Sequence, residues 1–445
     1  MKTRTMILTA AAMLVAAAPV FQSLALAADE TLPELTLEQV LTLARKRNKS
    51  LVAERARLLQ AQASVEQAWA SLFPTVAAQG KYTRNNTKFE FGRPIMDPAT
   101  GMTTGVQNLR IQPLDQFDGA VSATLPLIAP AAYPALEAVK LTEKGAEAGF
   151  EVSDASILLS VAQLFYAASI ADEVFLARQS NVAVANATMK NARVRFQAGT
   201  VTKVDVDRAE LALVQAEQAV REAAFGQQKT YRALATLIQR QEPFRVRAPA
   251  IPVERHDENE LQMALHLRPE FRALELSAQS ADAQRRANGW RWAPTLSAFG
   301  NARIFNYDNF AAQHHAWAFG AQLDWVLFEG GTRDALRHIA AAQAEEAAAR
   351  ADVLRDTIRD DLADGRRNLE TKQQGLAVAE RSVTLAMEAL GLVRVQYEAG
   401  TVTQVDLLQA QDALVGAQVG LAQAHYDVAA ADLALRHAAG TFPPK

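Results

Sequence analysis

The chain is written twice, and that duplication limits it to folds built from two equivalent units. Leu41, Ala44, Leu51, Pro74 and Thr75 return as Leu261, Ala264, Phe271, Pro294 and Thr295, at a constant offset of 220. The offset falls to 200 where Leu125-Pro126-Leu127 answers Trp325-Val326-Leu327, so the first copy carries about 20 extra residues, expected to form a loop. Phe196 to Asp205 (FQAGTVTKVD) then returns as Tyr397 to Asp406 (YEAGTVTQVD) at an offset of 201. The first unit is placed at 28–240 and the second at 258–445. Between them 241–257, with Pro243, Pro249 and Pro252, reads as a non-helical linker.

Each unit contains long helices with a heptad seam. Leu362, Leu369, Leu376, Val383, Leu390 and Tyr397 recur every seven residues, and Val161, Ala168, Phe175, Val182, Met189 and Phe196 answer them in the first unit. Such a series marks a coiled-coil seam. After Gly400 it resumes through Leu407, Leu414, Leu421, Val428 and Leu435, with Ala410, Ala417, Ala424, Ala431 and Ala438 in the companion positions. A helix from about Arg333 to Glu398 would be on the order of 100 Å long, which requires packing along most of its length. Thr36-Leu37-Glu38-Gln39 is a capping-box signature opening a first helix, which stops before Pro74.

After Pro74 the period changes to two. Four segments, about 75–83, 117–125, 295–304 and 317–325, alternate apolar with polar or small residues, and an external loop is expected over about 84–116. Each has about the length of a tilted transmembrane strand, with aromatic residues Tyr82, Phe117, Trp317 and Trp325 near the ends. Four strands cannot close a barrel, and open edges are not tolerated in lipid. Shared closure is required: two copies would give an interior filled by side chains, whereas three leave a lumen.

The first 27 residues read as a secretory signal, with Lys2 and Arg4 before an apolar run and Ala25-Leu26-Ala27 at the cleavage site. The whole chain has a net charge of -3, which argues against nucleic-acid binding. With no cysteine, disulfides and thiolate chemistry are excluded. The uncharged stretch from Ala155 to Ala171 is short for a membrane span and contains Ser156, Ser160, Gln163 and Ser169, so a buried coiled-coil segment is expected there. No nucleophile–base pattern, phosphate loop or zinc-type histidine spacing is found, so neither catalysis nor a cofactor is expected. His314-His315 has no further ligands at useful spacing and reads as exposed loop.

Arg268-Pro269-Glu270, Leu327-Phe328-Glu329-Gly330-Gly331-Thr332-Arg333 and the two Ala-Gly-Thr turns followed by Val-Asp, in this order, resemble the TolC-like outer-membrane efflux proteins. The resemblance covers essentially the whole mature chain. It implies a mainly α fold with a transmembrane β-barrel, the trimer forming a twelve-stranded barrel on a helical periplasmic tunnel. It further implies a passive exit duct of a tripartite efflux or type I secretion system. The implied partners are two further copies, outer-membrane lipid, a periplasmic adaptor and an inner-membrane pump of the RND or ABC type.

On that likeness, Gly199, Thr200, Val201 and Thr202, with Gly400, Thr401, Val402 and Thr403, are the tips that meet the adaptor. Asp406 would narrow the tunnel mouth, three like charges raising one another's pKa, with Gln409 standing where a second acidic ring occurs in the family. Asp205 is expected only to interact with its helix dipole. The glycines equally read as helix terminators. A coiled-coil rod or adhesin stalk of the envelope would explain the heptads but not the four strands.

Overall fold

A computed structural model describes residues 32–248, 260–309 and 313–443. The expected signal segment and most of the linker, from residue 249 on, lie outside the described residues. The first unit begins with β1 (Glu34–Leu35), α1 (Leu37–Arg47) and α2 (Lys49–Ala70). Thr36 and Gln39 form the expected capping box. The single helix expected before Pro74 is in fact two. Asn48 breaks it: its Oδ1 accepts from the N–H groups of Ser50 and Leu51, and its Nδ2 donates to the Leu237 carbonyl at 3.0 Å. An amide side chain that competes for backbone partners is a good cap and a poor interior residue.

The chain continues through β2 (Thr75–Arg84), β3 (Phe89–Met96), β4 (Thr103–Gln112) and β5 (Asp115–Ile128) to α3 (Ala132–Gln197) and α4 (Lys203–Ile238). The stretch over 84–116 is not a loop. Its strands β3 and β4 pair as an antiparallel hairpin, and Phe89, Phe91 and Ile95 supply the β-formers that the insertion reading overlooked. β6 (Arg245–Val246), inside the expected linker, pairs in parallel with β1.

The second unit repeats the plan as α5 (Glu260–Leu267), α6 (Pro269–Trp290), β7 (Thr295–Phe305), β8 (His315–Asp324), α7 (Thr332–Glu398) and α8 (Gln404–Ala438). At the position equivalent to Asn48, Arg268-Pro269 makes the same break, with proline at the first helical position.

The four long strands form one antiparallel sheet in the order β2-β5-β7-β8, with β2 and β8 as its open edges. Register puts Val76, Ala78, Gly80 and Tyr82 on the same face as Phe117, Val121, Ala123, Ala302, Ile304, Trp317, Phe319 and Leu323. The large side chains of this face are exposed, Phe319 at 77% and Trp317 at 69%. The opposite face carries Gln79, Lys81, Asp118, Ser122, Asn301, Arg303 and Gln322. An apolar face this open has to be covered by something other than water.

The helices run away from the sheet as two antiparallel hairpins, α3 with α4 and α7 with α8. α7 has 67 residues, so it is about 100 Å long. α6 lies between α3 and α7, whereas α2 packs along α3. The helical core gathers Val40, Leu158, Val161, Phe165, Leu234 and Ile238 from α1, α3 and α4. One face of the uncharged run from Ala155 is thus buried within the protomer, through Leu158, Val161, Ala162, Phe165 and Ala168, while Ser156 and Ser160 stay exposed. A second cluster joins Ile358, Leu362 and Leu369 of α7 to Val428 and Leu435 of α8. The heptads differ at their last positions: Tyr397 is buried but Phe196 is exposed.

Candidate functional site: the paired helical tips

Both hairpins turn through the repeated Ala-Gly-Thr-Val-Thr segments by one mechanism. At the end of α3, the N–H of Thr200 bonds to the Arg195 carbonyl at 3.0 Å and that of Gly199 to the Phe196 carbonyl at 2.9 Å. At the end of α7, Thr401 and Gly400 do the same with Gln396 and Tyr397, at 3.0 and 3.1 Å. These paired bonds satisfy carbonyls left open by the last turn, and they need a residue in the left-handed region. Gly199 supplies φ +75° and Gly400 φ +77°. The Thr200 and Thr401 hydroxyls bond to the same Arg195 and Gln396 carbonyls.

The following helices start with reciprocal caps. Thr403 donates its N–H and its hydroxyl to Asp406 Oδ2, at 2.8 and 2.6 Å, and the Asp406 N–H returns to Thr403 Oγ1 at 3.4 Å. Thr202 donates in the same way to Asp205 Oδ2, at 2.9 and 2.8 Å. Hydrogen bonds from the threonine hydroxyl first and its backbone second hold both carboxyls below their ordinary 3.8. Within one protomer Asp406 thus caps its helix as Asp205 does. Asp406 and Gln409 both remain exposed. Thr200, Thr202, Thr401 and Thr403 are exposed beside their glycines, whereas Val201 and Val402 are half-buried.

Sequence reasoning missed the side chains that tie the two tips together. Arg195 of α3 reaches Tyr397 of α7. Gln404, buried at the start of α8, donates Nε2 to the Asp205 carbonyl at 2.9 Å. Further along, Gln411 donates Nε2 to Thr188 Oγ1 at 3.0 Å in a buried bond between α8 and α3. The available signal was the position of the repeated turn that loses a positive charge, Lys203 against Gln404. A lysine ammonium resists burial, whereas a glutamine needs only a hydrogen-bond partner. In the external region, His314 Nε2 lies 3.6 Å from Asp308 Oδ1 and is exposed.

The model of the outer membrane efflux protein family matches residues 40–239 and 261–441, one stretch in each repeat. The chain belongs to the outer membrane efflux protein family. Outer membrane efflux protein BepC of Brucella suis biovar 1 (strain 1330) is 26% identical over 436 residues, covering 96% of this chain and 90% of that protein. Among solved structures, the open-state MtrE outer membrane channel of Neisseria gonorrhoeae has a TM-score of 0.74 at 20% identity, covering 91% of this chain and 88% of that one. CusC gives 0.77 at 14% identity, covering 92% of each chain.

The fold is therefore that of the outer-membrane efflux channels, a helical tunnel joined to a β-barrel. Family membership makes this chain the outer-membrane channel component of tripartite efflux, seated in the outer membrane and extending into the periplasm. Family and fold are those of channel proteins and not of enzymes, and they do not support a rod or adhesin stalk.

Proposed function

We propose that three copies of this chain close into one continuous duct through which substrates delivered by an inner-membrane pump leave the cell passively. The observation that carries this is the match between the two sides of the protomer. On one side the sheet ends in β2 and the helical layer in α2; on the other they end in β8 and α7. Since α6 sits between α3 and α7, its repeat equivalent α2 wants an α7 on its free flank, where Val52 and Leu59 are exposed. A neighbouring copy supplies that α7 and, in the same step, the β8 that pairs with β2. Burying both edges removes unpaired backbone groups that lipid does not tolerate. Twelve strands then leave a lumen lined by the polar face, while the apolar face meets lipid.

The tips at Gly199, Thr200, Val201 and Thr202, and at Gly400, Thr401, Val402 and Thr403, then form a ring of six similar turns that a periplasmic adaptor can engage. Asp406, whose cap uses Oδ2, would turn Oδ1 toward the axis of the mouth, with Gln409 beside it on α8. Three carboxylates there favour cations. An adaptor and a pump of the RND or ABC type complete this reading. Single-channel recording after reconstitution of the full chain in planar bilayers tests it. Stable conductance steps with cation selectivity are expected; a protein that inserts yet never conducts would overturn the duct.

A further inference from the structure

One corner of the second repeat holds a charged cluster that the first lacks. Where β8 passes into α7, Trp325 continues the apolar alternation of Trp317, Phe319 and Leu323, so it lies on the face assigned to lipid. Its indole Nε1 donates to the Trp292 carbonyl at 3.1 Å. The Arg333 guanidinium stacks 4.8 Å from the Trp292 ring, donates to the Val326 carbonyl, and places Nε 3.3 Å from Glu329 Oε2. Arg291 shares that carboxylate from the other side, with NH2 3.6 Å from Oε1 and its side chain 41% exposed. Two guanidiniums thus face one carboxylate, and Arg333 NH1 is buried without a partner.

Around this surplus positive charge, Trp290, Trp292, Trp325, Leu327 and Phe328 are all exposed, Phe328 at 85%. The first repeat has Ala70, Ser71 and Leu72 for Trp290, Arg291 and Trp292, and Ala129 and Tyr133 for Glu329 and Arg333. The first-repeat corner does expose Trp69, Leu127 and Tyr133, with Lys140 4.9 Å from the Trp69 ring centre, so what is particular to the second is the two guanidiniums on one carboxylate. Indole rings settle where apolar chains meet headgroups, and a weakly paired, exposed guanidinium in that layer suits a phosphate.

We infer that this corner is a seat for an anionic phospholipid of the periplasmic leaflet. The lipid phosphate takes Arg291, the three indoles lie at headgroup level, and Leu327 and Phe328 enter the acyl region. Arg333 holds Trp292 and Glu329 in place behind it. The inference rests on the barrel reading above, and charge complementarity together with continuity of the apolar strand face selects lipid as the occupant.

The test is native mass spectrometry of the full chain in nanodiscs of phosphatidylcholine and phosphatidylglycerol in equal parts. Wild type should retain phosphatidylglycerol in preference to phosphatidylcholine. Arg291→Gln should cut that preference about fivefold, the effect of one basic residue near an anionic surface. Arg291→Lys should keep most of it, and Arg84→Gln, at the far end of the sheet, should change nothing. A wild type without preference, or equal losses in Arg291→Gln and Arg84→Gln, would overturn the seat, as would a neighbouring copy covering the corner, which gives the first of these results. Failure to enter nanodiscs at all would instead overturn the barrel reading, and this inference with it.

Discussion

Arg195 of α3 lays its guanidinium 4.5 Å from the centre of the Tyr397 ring on α7 and donates NH1 to that residue's carbonyl at 3.3 Å. The two residues come from different repeats, 202 positions apart, and they join the two tips at their bases. The arginine offers a flat cation to a ring and a donor to the last turn of a helix, whose carbonyls are short of partners. The contact therefore ties one hairpin to the other, beside the bonds of Gln404 and Gln411.

Arg195→Ala should free the α7–α8 tip. A cation–π contact of this exposure is worth about 1 kcal/mol, so amide exchange over 395–404 should quicken about fivefold, with the sheet unaffected. Hydrogen exchange with mass spectrometry checks this. Unchanged rates at the tip would show that Gln404 and Gln411 hold the hairpins without it.

The caps carry a pH dependence of defined sign. Asp205 and Asp406 have carboxyls held below their ordinary 3.8 by Thr202 and Thr403. A depressed pKa in the folded state means stabilisation that is present above the ordinary value and is lost as pH falls through the lowered one. Both tips should thus keep their protection at pH 5 to 7 and fray below about 3.8, before the α3–α4 core near Phe165 opens. Protection at both tips that stays unchanged as pH falls from about 5 to well below 3.8 would contradict the caps.

The role of charge at Asp406 separates from its role as a cap. Asparagine can still accept from the Thr403 N–H, so Asp406→Asn removes the charge and leaves much of the box. We expect Asp406→Asn to raise single-channel conductance, weaken cation selectivity and relieve block by divalent cations, with Asp205→Asn as a control that does much less. Equal behaviour of the two variants would make both residues caps only.

Gly400→Val addresses the turn. A Cβ at Gly400 would meet nothing within 4 Å, so any cost arises from backbone conformation alone, φ being +77°. That cost is roughly 1–2 kcal/mol, enough to reshape a solvent-facing turn without disturbing the barrel. Export assayed in cells should fall sharply while the protein still reaches the outer membrane. Full export by a well-expressed variant would remove the tip from adaptor docking.

Much of this architecture was legible in the sequence because it depends on period and repetition. Heptads over Leu362–Tyr397 and alternation over Val76–Tyr82 are local consequences of helix and strand geometry, and the matched offsets locate both units. The glycines were legible because a left-handed turn has few alternatives. What escaped depends on partners distant in the chain. Asn48 ends α1 partly through its bond to Leu237, and Gln404 is buried because the Asp205 backbone waits for it across the repeat. The hairpin over 89–112 was obscured by its place in an insertion, with no second copy to compare. At Asp406 the sequence offered a charge for the mouth, and Thr403 three residues earlier marked a cap there as Thr202 does at Asp205.

The central claim is that the open edges β2 and β8 close between copies, and the most direct test is the mass of the particle extracted in mild detergent. Light scattering with the detergent contribution subtracted should return three mature chains, each of 48.3 kDa less the cleaved signal segment. A single chain, folded and stable in the same detergent, would contradict closure and the duct that depends on it.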